Sequence, residues 1–532
     1  MRLKWVAAMT AVAVLLGGGA FAGVRWFGRS PTDNALELAP RSSAVYGNVF
    51  LDPSMSQKNA LRTLLAKLPK YDTPAEASTA LEGLVDKLLS DSGLDYSSDV
   101  APWLGSQIAG FATIEGPRQG AYALLLAADD PGAGLDAVAA AEGLSNEAQE
   151  RSYEGVDYRL YSTPLGHEIG HGSGSKLAVG ALESFVVLGN EDGLRAAVDA
   201  SRGDSLADSK AYDRATEGLS RDRLALFYYD PSKAMQGLGG MGGPTSMGLL
   251  TGAAAPGLGA QKPGAAIVYA RSDGIVFEAS SELPSDDASQ AVLEAATKPG
   301  LLADLPAGSS MALGVSEIGK ALEKLVDGLS QMGLGAGFVE QQFKAETGLD
   351  LKRDFLSWMG DLGVSVQGSS LFDLRGGVVI ESRDPAASKR AVEAVRRLLE
   401  REDAPIKPLS LPGLDGFALG DPSVPEDINV VAADSVVIAY GNKATLELLE
   451  PGRMLGDTKL FRRAEESLGD GFAPSAFIDV PAVVGLLESF GAGADDTYAK
   501  EVKPLLAHVS YAVAGARLQD DRVIQRSVLG ID

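Results

Sequence analysis

Hydrophobic and polar positions along this chain follow two periods. Leu61, Leu64, Leu65 and Leu68, then Leu81, Leu84, Val85 and Leu88, and later Ile318, Leu322, Leu325 and Leu329 recur at helical spacing, which places their side chains on one face of an α-helix. Between such stretches run short segments rich in β-branched and aromatic residues: SSAVYGNVFL from Ser42, SQIAGFATI from Ser106, AYALLLA from Ala121, LAVGALESFVVLG from Leu177, RLALFYY from Arg223 and GAAIVYA from Gly264. These predict strands. Several segments leave through Asp-Pro, at Asp52-Pro53, Asp130-Pro131, Asp230-Pro231 and Asp384-Pro385, where Asp can cap a helix and Pro can take its first position. Asn190 followed by Glu191 and Asp192 predicts a similar start, with acids against the positive helix end. Paired strands separated by small turns, rather than strict strand-helix-strand alternation, predict an α+β fold with mostly antiparallel sheet covered by helices.

The pattern occurs twice. GLDYSSDVAPWLG, from Gly93 to Gly105, returns as GLDLKRDFLSWMG, from Gly348 to Gly360. Other landmarks follow in the same order: LAPRSSAVYGNV from Leu38 with LPAGSSMALGV from Leu305, Asp130-Pro131 with Asp384-Pro385, Gly189-Asn190 with Gly441-Asn442, and SLADSKAYDRA from Ser205 with MLGDTKLFRRA from Met454. A period of about 250 residues is a domain rather than a solenoid unit, so the expectation is a tandem duplication. One α+β repeat covers residues 36–284, a linker covers 285–300, and a second repeat covers 301–532. Trp103 and Trp358 occupy matching places and read as core anchors of the two halves.

At the N-terminus, Arg2 and Lys4 precede an uncharged stretch from Trp5 to Val24, about 20 residues and long enough to cross a bilayer core as a helix. Residues 1–30 therefore form a signal-anchor or a signal peptide. Ala20-Phe21-Ala22 reads as a cleavage site, whereas Trp26 and Phe27 between Arg25 and Arg29 read as an interfacial belt that favours an uncleaved anchor. Either form predicts export, and the anchor predicts a single-pass cell-membrane protein with its main domain outside the cytoplasm. Without cysteine there is no lipidation at Cys, no disulfide and no thiol chemistry. The net charge of −24 repels phosphate backbones, which excludes nucleic acid as an expected partner.

The N-terminal segment, the opening LAPRSSAVYGNVFLD and the block GLDYSSDVAPWLG resemble an uncharacterised family of exported bacterial proteins, catalogued as a domain of unknown function numbered 3352. The resemblance covers most of residues 36–530. Its motifs are packing residues, so it implies a bacterial envelope location and no particular activity.

Chemistry-bearing motifs are few. His167, Glu168 and His171 spell the H-E-x-x-H of zinc hydrolases, which need two imidazoles on one helix face and a Glu to activate the metal-bound water. Pro164, Gly172 and Gly174 surround it, and the matching second-half segment from Gly420 to Asp427 has no His. It reads as a loop decoy, with no metal and no cofactor expected, and zinc hydrolysis as a third reading. Glu191 has a sufficient role in a helix first turn, and His508 reads as a strand residue. Asp95 with Asp99, and Asp350 with Asp354, recur as carboxylate pairs that read as turns and caps rather than calcium ligands. No phosphate-binding, nucleophile-elbow or dinucleotide motif is present in the sequence.

Residues 234–261 carry no charge and are rich in Gly, Met and Leu. They read as a linker loop or as an apolar contact surface in which Met241, Met247, Leu249 and Leu250 meet lipid or a partner. The first functional expectation is a non-enzymatic, membrane-tethered extracytoplasmic binding or scaffolding protein of the bacterial envelope, held to the membrane through residues 5–24 and meeting lipid or an envelope protein. A carrier or sensor of an apolar ligand is the alternative.

Two outcomes are expected. A reporter enzyme fused after residue 40 will be active only outside the cytoplasm; a cytoplasmically active fusion removes the export reading. The purified protein will carry well under one zinc per chain by metal analysis and will unfold identically with and without chelator, whereas stoichiometric zinc lost in His171→Ala would establish the H-E-x-x-H site.

Overall fold

The computed structural model describes residues 32–67, 96–114, 116, 120–140, 148–162, 176–233, 262–284, 287–331, 336–370, 373–420, 426–494 and 498–532. Two compact units divide the chain, the first ending at Glu282 and the second running from Leu283 to Asp532.

In the first unit the chain runs through β1 (Val45–Phe50), α1 (Met55–Leu65), a π-helical turn (Tyr96–Val100), β2 (Leu104–Ala112), β3 (Tyr122–Ala128) and α2 (Pro131–Ala140). It continues through β4 (Gln149–Tyr153), β5 (Val156–Ser162), β6 (Lys176–Leu182), β7 (Phe185–Gly189), α3 (Glu191–Ser201), α4 (Lys210–Thr216), β8 (Ala225–Tyr229), β9 (Gly264–Arg271) and β10 (Gly274–Glu282). Every pairing is antiparallel, and the spatial order is β4, β5, β6, β7, β3, β2, β1, β8, β9, β10. The first strand is thus interior, bonded to β2 on one side and β8 on the other.

Because successive side chains point to opposite faces, Tyr46 opposes Tyr228 on one face. There both join Leu125, Phe185, Val198 and Tyr212 in a buried core beneath α3 and α4. Tyr212 packs 5.4 Å from Tyr228 and 6.4 Å from Tyr46, ring centre to ring centre. On the other face, α2 lies against Trp103 and Val186. Residue 134 has to be Gly there, since a Cβ would come within 2.7 Å of Val186 and 2.8 Å of Trp103.

The second unit comprises α5 (Asp287–Ala296), β11 (Ser309–Val315), α6 (Ile318–Gln331), α7 (Ala336–Thr347), a π-helical turn (Leu351–Leu356), β12 (Met359–Gln367), β13 (Arg375–Ser382) and α8 (Pro385–Arg401). After these come β14 (Ile406–Pro408), β15 (Gly416–Leu419), β16 (Ile428–Ala432), β17 (Ser435–Tyr440), α9 (Asn442–Leu449), α10 (Lys459–Leu468), β18 (Ala473–Asp479), α11 (Val480–Ser489), α12 (Lys503–Leu506), β19 (Val509–Gln519) and β20 (Arg522–Ile531). Its antiparallel order is β14, β15, β16, β17, β13, β12, β11, β18, β19, β20. Phe461 of α10 packs edge-on against Phe477 of β18 at 5.4 Å.

The caps behave largely as expected. Asp130 Oδ1 accepts from the Ala133 N–H at 3.1 Å, and Asp384 Oδ1 accepts from Ala386 and Ala387, both at 3.0 Å. Asn190 Oδ1 accepts from Gly193 at 2.8 Å and also from Tyr122 at 3.0 Å, which ties α3 to β3. The Asp52-Pro53 expectation is corrected: α1 starts at Met55 with Ser54 as its cap, because the Asp52 carboxylate instead pairs with buried Lys58 at 2.5 Å.

Two further differences have physical reasons. Strand β4, QERSY, is a mostly exposed strand without apolar alternation, so periodicity carries no sign of it; its position comes from pairing with β5 alone. Residues 285–300, expected as a linker, contain α5, whose Leu293 is buried with Ala516 and Val523.

Among the described residues, Trp103 and Trp358 are buried, each between a π-helical turn and the strand that follows. Trp103 Nε1 donates to the Asp99 carbonyl at 2.6 Å, whereas Trp358 Nε1 is buried with no acceptor. Replacing either by Ala will lower stability in chemical denaturation by about 3 to 5 kcal/mol. The Phe variants will differ: Trp103→Phe will cost about 1 kcal/mol more than Trp358→Phe, because only the first loses a made hydrogen bond. Equal losses would show that the indole N–H contributes nothing at position 103.

Candidate functional site: an open apolar sheet face

The sheet of the second unit has one closed face and one open face. Along β11, Ser310, Ala312 and Gly314 are buried, while Met311 and Val315 are half-buried and Leu313 is 42% exposed. Strand register carries the exposed side across the sheet. Ile438 pairs with Val430 and Val378, Val378 with Val364, Val364 with Leu313, and Leu313 with Ala476. The adjacent row runs from Ile428 through Tyr440 to Gly376, Val366, Met311 and Ile478. Neither row contains a charged side chain. Ile438 and Ile428 are 40% and 41% exposed.

Helices flank this face without sealing it. Helix α11 follows β18 directly, capped by Asp479, whose carboxylate accepts from the Ala482 N–H at 3.1 Å. It packs along β11, β18 and β19. Its sequence is uncharged from Val480 to Leu487, yet Leu486 is its one buried residue, and Leu487 and the following Phe490 are exposed. Glu488 at its end is held by Lys503 at 2.8 Å. At the other side, Lys352 joins α6 and α7 by pairing with Asp327 at 2.6 Å and Glu340 at 2.8 Å. These two helices leave Leu325, Phe338 and Val339 outward, the last two at 69% and 52% exposure.

The first unit has a smaller counterpart. Leu188 pairs with Leu124, Leu124 with Gly110, Gly110 with Gly47, Gly47 with Phe227 and Phe227 with Ala266. Phe227 is 40% exposed and stacks on Tyr229. Glycine and alanine occupy the middle of this row, and α2 with Trp103 covers one end of the face.

Such a surface can bury hydrocarbon, at about 0.8 kcal/mol per CH₂ removed from water. Among the described residues of the two rows, Tyr440 carries the one hydroxyl and there is no Asp, Glu, His, Lys or Arg. Elsewhere, the Asp350–Asp354 pair does structural work. Asp350 caps the π-helical turn by accepting from the Arg353 N–H at 3.1 Å, and Asp354 accepts from the Asp350 N–H at 3.0 Å. The Arg353 guanidinium beside Asp354 holds that carboxyl down to about 2. Glu191 accepts from Tyr158 and Arg195 at 2.7 and 2.6 Å. His508 stands in the turn just before β19 rather than within a strand, its carbonyl accepting from Asp532.

His167, Glu168 and His171 lie outside the described residues, as do Asp95, Met241, Met247, Leu249, Leu250 and the segment 5–24. Among the described residues no three His, Cys, Asp or Glu side chains form a metal-holding group, and no helix is long and apolar enough to cross a membrane.

The open face was not singled out by sequence, although one signal was available. VVIA in β17 and GVVI in β13 are apolar on both alternations, the pattern of strands covered on two sides. Whether the second side is in fact covered depends on where the helices pack.

No curated protein matches the chain. A solved structure described as "Structure of crystal form I of TP0453" is similar over 49% of this chain and 81% of its own at 13% identity, with a TM-score of 0.23, a likeness too distant to bear on function. A family described as "Protein of unknown function (DUF3352)" has a model that matches residues 8–518, across both units, and the chain belongs to that family.

Proposed function

We propose that this chain is a membrane-tethered, extracytoplasmic binding protein of the bacterial envelope, built from a tandem duplication, whose second unit holds an apolar ligand such as a lipid hydrocarbon chain. The observation that carries the reading is the pair of uncharged rows on the open sheet face, from Val430 to Ala476 and from Ile428 to Ile478. Monomeric proteins seldom leave contiguous apolar area of this kind to water unless something binds it. The uncharged stretch of α11 from Val480 to Leu487 supplies a second apolar wall beside it. No cofactor and no bond-making step belong to this reading.

The duplication rests on two supports beyond the repeated blocks. In each unit the first strand is interior and the remaining strands take the same places around it. In each, an isolated bridge ties the segment before that strand to the segment before the late helix, Pro40 to Ser205 and Pro306 to Met454. The tether and the compartment rest on Trp5–Val24 and the basic residues around it. A scaffolding role gains support from the outward Phe338 and Val339, which suit a protein partner.

The test is lipid analysis of full-length protein purified from its native membrane in mild detergent, with Leu313→Glu and Ile438→Glu alongside. Wild type will yield a bound apolar compound by extraction and mass spectrometry. Each variant will retain at least ~10-fold less, since a carboxylate against hydrocarbon costs well over the 1.4 kcal/mol that a factor of ten represents. Both positions are partly exposed, so thermal unfolding should move little. Absence of any bound apolar compound, or equal amounts in all three proteins, would overturn the proposal.

A further inference from the structure

Where the chain enters the first unit, a carboxyl is buried among neutral donors. Asp33 Oδ1 accepts from the Tyr46 hydroxyl and from Asn48 Nδ2, both at 2.6 Å. Asn48 Nδ2 also donates to Gln107 Oε1 at 2.9 Å, and Gln107 Nε2 donates back to the Thr32 carbonyl at 3.4 Å. Residues 32 and 33 are thereby bonded to the interior of the sheet, to β1 through Tyr46 and Asn48 and to β2 through Gln107. Two oxygens are left over: Asp33 Oδ2 and Asn48 Oδ1 are both buried without a hydrogen-bond partner. Both are acceptors if the carboxyl is ionised, and an ionised carboxyl with a bare buried oxygen pays its full desolvation cost.

We infer that Asp33 is a neutral carboxylic acid in the folded protein, its Oδ2–H donated to Asn48 Oδ1, forming a pH-sensitive clasp that fastens the membrane-proximal entry of the chain to β1 and β2. A proton on Oδ2 turns one orphan acceptor into a donor, and Asn48, already bonded to Asp33 through Nδ2, carries the other orphan. Burial acts in the same direction, raising the carboxyl above its ordinary range. The groups that face it are Tyr46 on β1, Tyr212 on α4, the guanidinium of Arg223 before β8, and the backbone of Leu36. The hydrogen bonds from Tyr46 and Asn48, then Arg223 and the Leu36 backbone, favour the anion and limit the rise. The tyrosines stay protonated, their own ionisation pushed upward by burial.

The clasp is an addition to the architecture rather than a condition for it. In the second unit Ala312 lies opposite Phe477 where the first unit has Tyr46 opposite Tyr228. The late helices likewise place Phe461 where the first has Tyr212. The same pairing order closes there, with Ala312, Phe461 and Phe477 in the places of the three tyrosines and a buried Ser309–Ser365 hydroxyl contact at 2.7 Å beside them.

The sign follows from linkage. A carboxyl whose folded-state value is raised binds a proton on folding, so its stabilisation is complete below the ordinary carboxylate range and is lost as pH rises through the raised value. The experiment compares thermal unfolding of full-length wild type, Asp33→Asn and Asp33→Ala between about pH 4 and 9. Asp33→Asn keeps the acceptor at Oδ1 and replaces the O–H by an amide N–H. It should match wild type at the acid end and exceed it increasingly toward the alkaline end, while Asp33→Ala is less stable than Asp33→Asn throughout. Infrared difference spectra of wild type against Asp33→Asn should show the carbonyl stretch of a protonated acid at neutral pH. A wild type that loses no stability relative to Asp33→Asn as pH rises, or a difference spectrum carrying only carboxylate bands, would overturn the inference and assign Asp33 as an anion in the field of Arg223.

Discussion

Each unit depends on an interior first strand. β1 is hydrogen-bonded to β2 along Val45–Phe50 and, on its other edge, to β8, which enters the chain only at Ala225. β11 stands in the same relation to β12 and β18. Closing that second ladder requires the chain to bring together segments separated by most of a unit, which is slow in loop-closure terms and makes the sheet a product of long-range contacts. Once it is closed, no interior strand has a free edge, and the buried tyrosines and phenylalanines of the late helix and strand are locked against the first strand.

The same sheet generates the asymmetry on which the proposed function rests. Side-chain alternation gives every strand two faces, and helices have to cover whichever faces are apolar. In both units the face bearing the aromatic cluster is closed. On the opposite face of the second unit, helix α8 with Trp358 and the π-helical turn bury one end, and the middle rows remain half open. Covering area, rather than strand sequence, therefore separates core from candidate ligand surface, since Val379 and Val378 are chemically identical neighbours with different fates.

The two units also differ in how they use polarity. Around β1 the first unit buries hydroxyls, amides and a carboxyl, and the second fills comparable places with Ala312, Phe461 and Phe477. Burial of polar groups is costly unless each is satisfied, so a cluster that one unit carries and the other does without points to something other than folding. Its location, at the point where the chain leaves the expected tether, gives it a place to act.

Much of the architecture was legible in the sequence because it depends on local rules. Helical leucine spacing, β-rich runs and Asp-Pro and Asn-Glu starts identified β1, β2, β3 and β6 to β9 together with α1, α2, α3, α6 and α8. These signals follow from backbone geometry that any short segment expresses by itself. Others had no local signature. Strand β4 exists only because β5 offers it an edge, α1 starts late because Lys58 claims Asp52, and α5 is ordered by burying Leu293 against β19 and β20. The open face and the Asp33 cluster belong to the same class. Nothing in the local sequence tells that helices leave Leu313 and Ile438 outside, or that Tyr46 and Asn48 of β1 and Gln107 of β2 close around Asp33. Periodicity tells which residues share a face; only tertiary packing decides whether that face meets helix, water or ligand.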